Sequence, residues 1–261
     1  KQGSGFQVVI DDNAPIHRVV GCSRFTTLGV SGVDATAAVP SWMANRLKLA
    51  GMRSISIVVD ITNYVMLELG QPIHAYDADK LVGGITVRRA HSGERLTTLD
   101  EKVRELSVED LLICDESGPI GLAGVMGGLS TEVSASTKNV LIEAALFDPI
   151  SIARSARRHK LPSEASKRFE RGVDPEVGPV AAARVAQLLV ELAGGELNGV
   201  GSAYQIDAPR VEIELPFAFA SELVGVEYSN QQVLDLLHQI GCELKVHDDA
   251  VTVTPPSWRP D

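Results

Sequence analysis

Aromatic residues are scarce in this chain of 261 residues; at 5% they leave the core to be built from aliphatic side chains. No apolar run approaches the roughly 18–20 residues needed to cross a bilayer, so a membrane span is not expected. Cysteine is rare and poorly spaced for chemistry. Cys22, Cys114 and Cys242 lie far apart, form no CxxC pair and are odd in number. That argues against a disulfide framework and a zinc site, and points to a reducing, cytoplasmic compartment. Basic charge is also short. With 24 Lys and Arg against 34 Asp and Glu, the net charge of −10 disfavours a protein uniformly attracted to nucleic acid or acidic membrane. What remains, 44% hydrophobic and 22% charged, is the balance of a globular protein and not of a disordered one. The chain starts at Lys1 without a signal-like leader and ends at Trp258-Arg259-Pro260-Asp261, which reads as a segment of something longer.

Residues 1–12 carry no periodicity and read as a linker remnant. Val19-Val20 predicts a first strand within 17–25. Pro40-Ser41 opens a helix with Ser41 as N-cap and Trp42, Leu47 and Leu49 on its apolar side, stopped by Gly51. Residues 55–59 read as a buried strand running into a helical pattern that ends at Gly70. Short β-type runs then occupy 85–89, 95–99, 103–106, 111–114 and 140–146, separated by Gly, Asp and Ser turns. Asp148-Pro149 predicts a helix start with Asp148 as N-cap. The clearest helical periodicity spans 174–192 and ends at Gly194-Gly195. A Gly/Pro/Ser-containing stretch at 199–209 is taken as the domain boundary. Beyond it come a strand at 211–215, helices at 217–223 and 230–240, and strands at 242–246 and 250–253. Two helices followed by a β-ribbon suggest a truncated winged-helix-like module.

Charge is unevenly placed. Residues 154–171 hold seven basic side chains against two acids, whereas from 206 onward there are ten acids and three bases. The module that looks most like a DNA-binding fold is therefore the least suited to touch a phosphate backbone.

Four segments could carry chemistry. His74, in Gln71-Pro72-Ile73-His74-Ala75, sits on a loop just past a helix, where it either places a water or binds a polar substrate atom, or else caps the helix end or bonds a backbone carbonyl. Residues 121–128, Gly-Leu-Ala-Gly-Val-Met-Gly-Gly, are neither a Walker A loop nor a dinucleotide fingerprint. They offer backbone N–H groups to an oxygen, or form a turn between strands. Glu143 lies alone within the apolar run 140–147, on the same face as Leu141 and Ala145. It either faces water or is a pocket carboxylate awaiting a ligand donor, since an unpaired buried charge costs several kcal/mol. The basic stretch that includes Arg157, Arg158 and Lys160 is either a phosphate-facing patch or a solvated helix with internal ion pairs.

The order of these segments is more specific than any one of them. The run Val59-Asp60-Ile61-Thr62-Asn63-Tyr64-Val65-Met66-Leu67-Glu68-Leu69-Gly70-Gln71-Pro72-Ile73-His74-Ala75 resembles a signature of the bacterial phenylalanyl-tRNA synthetase β subunit. The glycine segment, the Glu143 strand, Ala156-Arg157-Arg158-His159 and the run from Ser163 to Pro175 follow in the same order. The resemblance extends from about Pro15 to Asp261 and implies an α+β fold. Mixed β-sheet or β-sandwich layers with packed helices, of B3/B4 type, are expected over 13–203, and a truncated B5-like module over 204–261.

The resemblance also implies a function. The family edits by hydrolysing tyrosine mischarged on tRNA(Phe), and the expected partners are that tRNA and an α subunit in a heterotetramer of two α and two β subunits, with no DNA and no membrane. Glu143 matches the carboxylate that recognises the tyrosine phenol, and His74 the histidine placed towards the terminal adenosine and the ester. Thr62, Asn63, Pro72, Ala75, Ala123, Gly124, Ser163 and Ala165 match the pocket wall; Ser163 stands where the family often has Thr. The expected reaction is direct attack by a positioned water, with backbone N–H groups near Ala123-Gly124 stabilising the oxyanion. The competing expectation is a non-catalytic tRNA-docking module. No cofactor is expected in this segment: ATP and magnesium belong to the whole enzyme, synthesis to its α subunit, and Asp261 is one carboxylate of a magnesium site that a single acid cannot make.

Overall fold

The computed structural model describes residues 5–206 and 210–259, which fall into two compact units, 1–206 and 207–261. In the first unit the strands are β1 (Val8–Asp11), β2 (Cys22–Ser31), β3 (Ile73–Asp77), β4 (Ile85–Arg89), β5 (Arg95–Thr97), β6 (Val103–Glu105), β7 (Leu111–Asp115), β8 (Gly118–Leu122), β9 (Met126–Gly127), β10 (Val140–Phe147) and β11 (Glu196–Gln205). Its helices are α1 (Ser41–Leu49), α2 (Ile57–Leu69), α3 (Pro149–His159), α4 (Glu164–Arg171) and α5 (Gly178–Ala193). One sheet has the order β11-β2-β10-β3 and a second the order β1-β4-β7-β8-β9, with β5 and β6 forming a separate ribbon. This is the α+β class expected.

Strand β10 is covered on both faces, which is why 140–147 reads as an apolar run. On one face Val140, Ile142 and Ala144 pack with residues of α1, α2 and α5, among them Leu47, Ile61 and Val185. On the other, Leu141 and Ala145 share a core with Phe25 and Tyr76 of their own sheet and with Val87, Leu112 and Ile120 of the second. Glu143 alternates onto this second face, between the sheets. Helices α3 and α4 close the same core, with Phe169 edge-on to Phe147.

Several local expectations are corrected. Residues 8–11, within the expected linker remnant, form β1 and pair in parallel with β4. The strand expected within 17–25 is β2, which starts only at Cys22 and runs to Ser31; Val19 makes only an isolated bridge with Ile16. Helix α1 starts as expected, but Pro40 is its N-cap and no side chain caps it. It buries Met43 and Leu47, four residues apart, whereas Trp42 and Leu49 are 41% and 88% exposed. The stretch 55–59 is not a strand. Ser56 accepts from Val59 N–H, and Asp60 accepts from Ser54 and from Ile55 N–H, so the chain is already capped into α2. Helix α5 begins at Gly178, because Asp174-Pro175 makes its own turn and Pro179 suits a first helical turn. The boundary stretch 199–209 is a strand as far as Gln205: β11 pairs with β2 past a bulge, and a Cβ at Gly201 would lie 2.8 Å from the Thr27 carbonyl oxygen.

In the second unit, β12 (Ile213–Pro216), α6 (Phe217–Val224), α7 (Asn230–Gln239), β13 (Glu243–Val246) and β14 (Ala250–Thr254) give an antiparallel sheet β12-β14-β13 over Phe217, Val233, Val251 and Val253. The order matches the winged-helix-like expectation. Asp261 lies outside the described residues. Among those described, no helix is long and apolar enough to cross a membrane.

A buried acid ties α3 to the second sheet. Asp110 accepts from Ser155 Oγ (2.7 Å), from Arg158 and from Ser107 N–H (2.8 Å), and His159 Nε2 lies 2.7 Å from its other side. Burial opposes the charge, but the hydrogen bonds from His159, Ser155 and Ser107 hold its pKa down at about 2. A carboxylate lowered in the folded state stabilises above its unfolded pKa of about 3.9, and that contribution is lost as pH falls towards 2. Asp110→Asn should therefore cost on the order of 2–3 kcal/mol in urea unfolding at pH 7 and flatten the fall in stability below about pH 4. An unaltered pH profile would contradict this assignment.

Candidate functional site

The turn between α2 and β3 sets the site. Gly70 takes a left-handed φ of 76° and ends α2, and Gln71 then donates from Nε2 to the carbonyls of Pro72 (2.8 Å) and Ala145 (3.0 Å). That clamps the start of β3 against β10. In the resulting antiparallel register His74 lies opposite Glu143 and Tyr76 opposite Leu141, while Thr27 of β2 flanks Glu143 on its other side. Side chains two apart on a strand share a face, so His74, Tyr76, Glu143 and Thr27 converge between the sheets.

Glu143 is 6% exposed, which excludes the water-facing reading. Among the described residues, no cation forms an ion pair with it. Tyr76 Oη–H donates to Oε2 and is its one hydrogen-bond partner among the described residues. Thr27 instead pairs its hydroxyl with Ser202 at 2.8 Å. Burial pushes the Glu143 carboxyl up to about 7 even though the Tyr76 hydrogen bond pulls it down. The Tyr76 phenol and the Cys22 thiol are raised too, first by burial and then by the charge of Glu143.

The imidazole of His74 stands edge-on to the Tyr76 ring, with centroids 4.5 Å apart. Its Nε2 is buried without a hydrogen-bond partner. Burial lowers its pKa to about 4, so the ring is neutral at pH 7 and can accept a hydrogen bond there. Leaving such a nitrogen unpaired costs roughly 1–3 kcal/mol, which a bound donor would recover.

The glycine segment is the β8–β9 hairpin, not a phosphate loop. Gly124 turns it at φ 64°, where a Cβ would lie 2.9–3.0 Å from Ile152, Phe147 and Phe169. Ala123 N–H is committed to the Leu111 carbonyl at 3.0 Å, whereas Gly124 N–H, the other member of the expected pair, has no hydrogen bond among the described residues. Gly127 backs onto His74: a Cβ there would stand 2.5 Å from its Cε1 and 2.9 Å from Nε2.

Other expected wall residues are spread over several elements. Thr62 is buried in α2 and bonds the Val59 carbonyl at 2.8 Å; Asn63, beside it, is half-buried. Pro72 is buried in the turn. Ala75 packs on the helix-covered face of the sheet, opposite to the face of Glu143. Ser163 caps α4 through Ser166 N–H at 3.0 Å, and Ala165 packs against the core between the sheets. The basic stretch is largely neutralised: Arg154 and Arg158 pair with Glu109, Arg158 also with Asp110, Arg157 with Glu170, and Lys167 and Arg168 with Glu164. Lys160, exposed at the left-handed end of α3, makes no ion pair among the described residues. Tyr76 and Gly127 were not anticipated. Alternation from His74 would have placed Tyr76 on the same face, whereas nothing local distinguishes Gly127 from its neighbouring glycines.

Residues 21–194 match the family described as B3/4 domain, and residues 213–261 match tRNA synthetase B5 domain. The phenylalanine--tRNA ligase beta subunit of Leifsonia xyli subsp. xyli is 61% identical over 98% of this chain and 30% of its own length. That of Streptomyces avermitilis is 55% identical over 94% and 30%, and that of Thermobifida fusca 52% over 92% and 29%. The chain thus spans less than a third of the curated relatives it matches. A solved N-terminal fragment of the Pyrococcus horikoshii phenylalanyl-tRNA synthetase beta subunit aligns with all of this chain and 74% of its own at 15% identity and a TM-score of 0.45, too distant to bear on the site.

The environment of His74 has a direct readout. Its ring should titrate near pH 4 by NMR, and a midpoint at 6 or above would contradict its burial. Gly127→Ala should shift the ring resonances and cost about 1–3 kcal/mol in urea unfolding; a silent substitution would show that the close approach is not maintained.

Proposed function

Because the chain belongs to the B3/4 domain family, in the form carried by phenylalanine--tRNA ligase beta subunits, we propose that it edits tRNA(Phe) mischarged with tyrosine. A water oxygen attacks the carbonyl carbon of the aminoacyl ester, the bond to the terminal ribose oxygen breaks, and free tyrosine and deacylated tRNA leave. The observation that carries this reading is a buried carboxylate with no cation, Glu143, in register beside a neutral imidazole with an unpartnered nitrogen, His74.

The energetics favour this division of labour. A site that selects phenylalanine by apolar fit cannot strongly reject an isostere that adds a hydroxyl; such discrimination is worth about 100-fold. A second site built around a buried acceptor reverses the preference. Tyrosine donates its O–H to Glu143, whereas phenylalanine leaves that acceptor dry, a difference that reaches about 10⁴ in favourable sites. Glu143 is thus the specificity residue. His74 has too low a pKa to be an effective base at neutral pH, so its role is to accept a hydrogen bond from the attacking water and hold it in line. Gly124 N–H is the backbone donor available to the oxyanion. The hydroxyl of the terminal ribose can assist the proton transfer. Thr62, Asn63, Pro72, Ala123, Ser163 and Ala165 complete the proposed wall, with Ala75 reached from its backbone side.

Partners follow from the same reading: tRNA(Phe), and the α subunit, two copies of which make a heterotetramer with two β subunits in the cytoplasm. Hydrolysis by water needs no cofactor, so ATP and magnesium are assigned to the whole enzyme. A purely docking role draws less support, since Arg157 and Arg158 are held by acids and Lys160 is left as the readiest phosphate contact of the three.

Deacylation of Tyr-tRNA(Phe) by the intact enzyme tests the proposal. Glu143→Ala should cut it by about 100-fold or more while charging with phenylalanine stays normal, and undiminished hydrolysis would overturn the assignment. His74→Ala should slow the same step by about 10- to 100-fold without affecting aminoacylation; a normal editing rate would remove His74 from the mechanism.

A further inference from the structure

Among the described residues, the one hydrogen-bond partner of Glu143 is itself a phenol. Tyr76 lies diagonally across from Glu143, with His74 and Thr27 directly opposite on either side, yet neither of those neighbours bonds the carboxylate. Tyr76 is fully buried, its ring is fixed edge-on against His74, and its hydroxyl ends on Oε2. Oε1 takes no hydrogen bond from any described residue. We infer that Tyr76 is a specificity-determining positioning residue: it occupies Oε2 with its own phenol, fixing the carboxylate so that Oε1 alone faces an incoming tyrosine side chain. This deepens the editing proposal and rests on it.

The arrangement has a chemical logic. A carboxylate with one internal donor is half satisfied, so it stays poised for a second O–H and is poorly matched by a bare aromatic edge. Without the internal donor, the same buried site would favour the protonated acid. A protonated Glu143 already carries its own hydrogen and discriminates less between a phenol and a phenyl ring.

No other charged group among the described residues pairs with Glu143; on β4, Arg89 is held by Asp12 and Arg88 by Glu94. From β2 the facing titratable group is Cys22, from β3 His74 and Tyr76, and from β7 Cys114, which acts on Tyr76. Burial raises both thiols, that of Cys114 to about 11, and lowers the imidazole to about 4, so all are neutral at pH 7. Tyr76 is the one group that lowers the carboxyl of Glu143, which burial lifts to about 7.

The sign of the pH effect follows. Tyr76→Phe removes only the O–H, so the Glu143 pKa rises and its carboxylate fraction falls at neutral pH. The readout is the ratio of Tyr-tRNA(Phe) to Phe-tRNA(Phe) hydrolysis by the intact enzyme between pH 6 and 9. In the unmodified enzyme the ratio should rise with pH through about 7. In Tyr76→Phe that rise should move up by about one pH unit, lowering the ratio about fivefold at pH 7 and recovering it near pH 9. 3-Fluorotyrosine at position 76, a stronger donor of nearly the same shape, should move the rise downward; this second protein keeps the test decisive if Tyr76→Phe does not fold. A ratio near one in the unmodified enzyme overturns the editing reading, and this inference with it. A normal ratio with an unshifted rise in both altered proteins, or an equal loss at every pH, overturns the role of Tyr76 while leaving the editing reading standing.

Discussion

A carboxylate in the middle of a strand that is covered on both faces is the constraint around which this unit is arranged. Strand β10 packs helices on one side and a second sheet on the other, so Glu143 is left 6% exposed. Among the described residues no cation pairs with it: on the facing β4, Arg89 is held by Asp12 and Arg88 by Glu94. Its one hydrogen-bond partner among the described residues is a phenol, and its cross-strand neighbour is an imidazole that burial keeps neutral. Such a site is costly to a folded protein, and the cost is unexplained by stability. It becomes intelligible if a ligand brings the missing donor.

The contrast with Asp110 makes the point within the same molecule. Both acids have buried side chains. Asp110 is surrounded by Ser155, Arg158, His159 and the Ser107 N–H, and its pKa is held at about 2. It fastens α3 to the second sheet and leaves nothing for a ligand. Glu143 has one donor and is raised to about 7. Opposite displacements of two carboxyls, one by a full set of donors and one by desolvation, separate a structural acid from a candidate binding acid.

How much of this was legible in the sequence varies with the range of the interaction responsible. Local signals carried well: Asp148 caps α3, and the helix–helix–ribbon order of the second unit follows its apolar periodicity. Tertiary pairing was not legible. Residues 8–11 and 199–205 look like linkers because their strand partners, β4 and β2, lie far away in the chain. Residues 55–59 look like a strand because the caps from Ser56 and Asp60 do not show in hydropathy. The site was legible in part. Glu143 stood out as a lone acid in an apolar run, but whether it faced water depended on a second sheet that no local pattern reveals. The basic stretch misled in the other direction, since composition shows the arginines and only the fold shows Glu109, Asp110 and Glu170 beside them.

The central claim is that Glu143 reads a phenolic hydroxyl, and free amino acids probe it without tRNA. Calorimetric titration of tyrosine and of phenylalanine into the 261-residue chain, in parallel at pH 8, compares two ligands that differ by one O–H. The account predicts tighter binding of tyrosine by at least about tenfold, the least that a hydrogen bond to a buried charged acceptor contributes. Equal affinity for the two would contradict it.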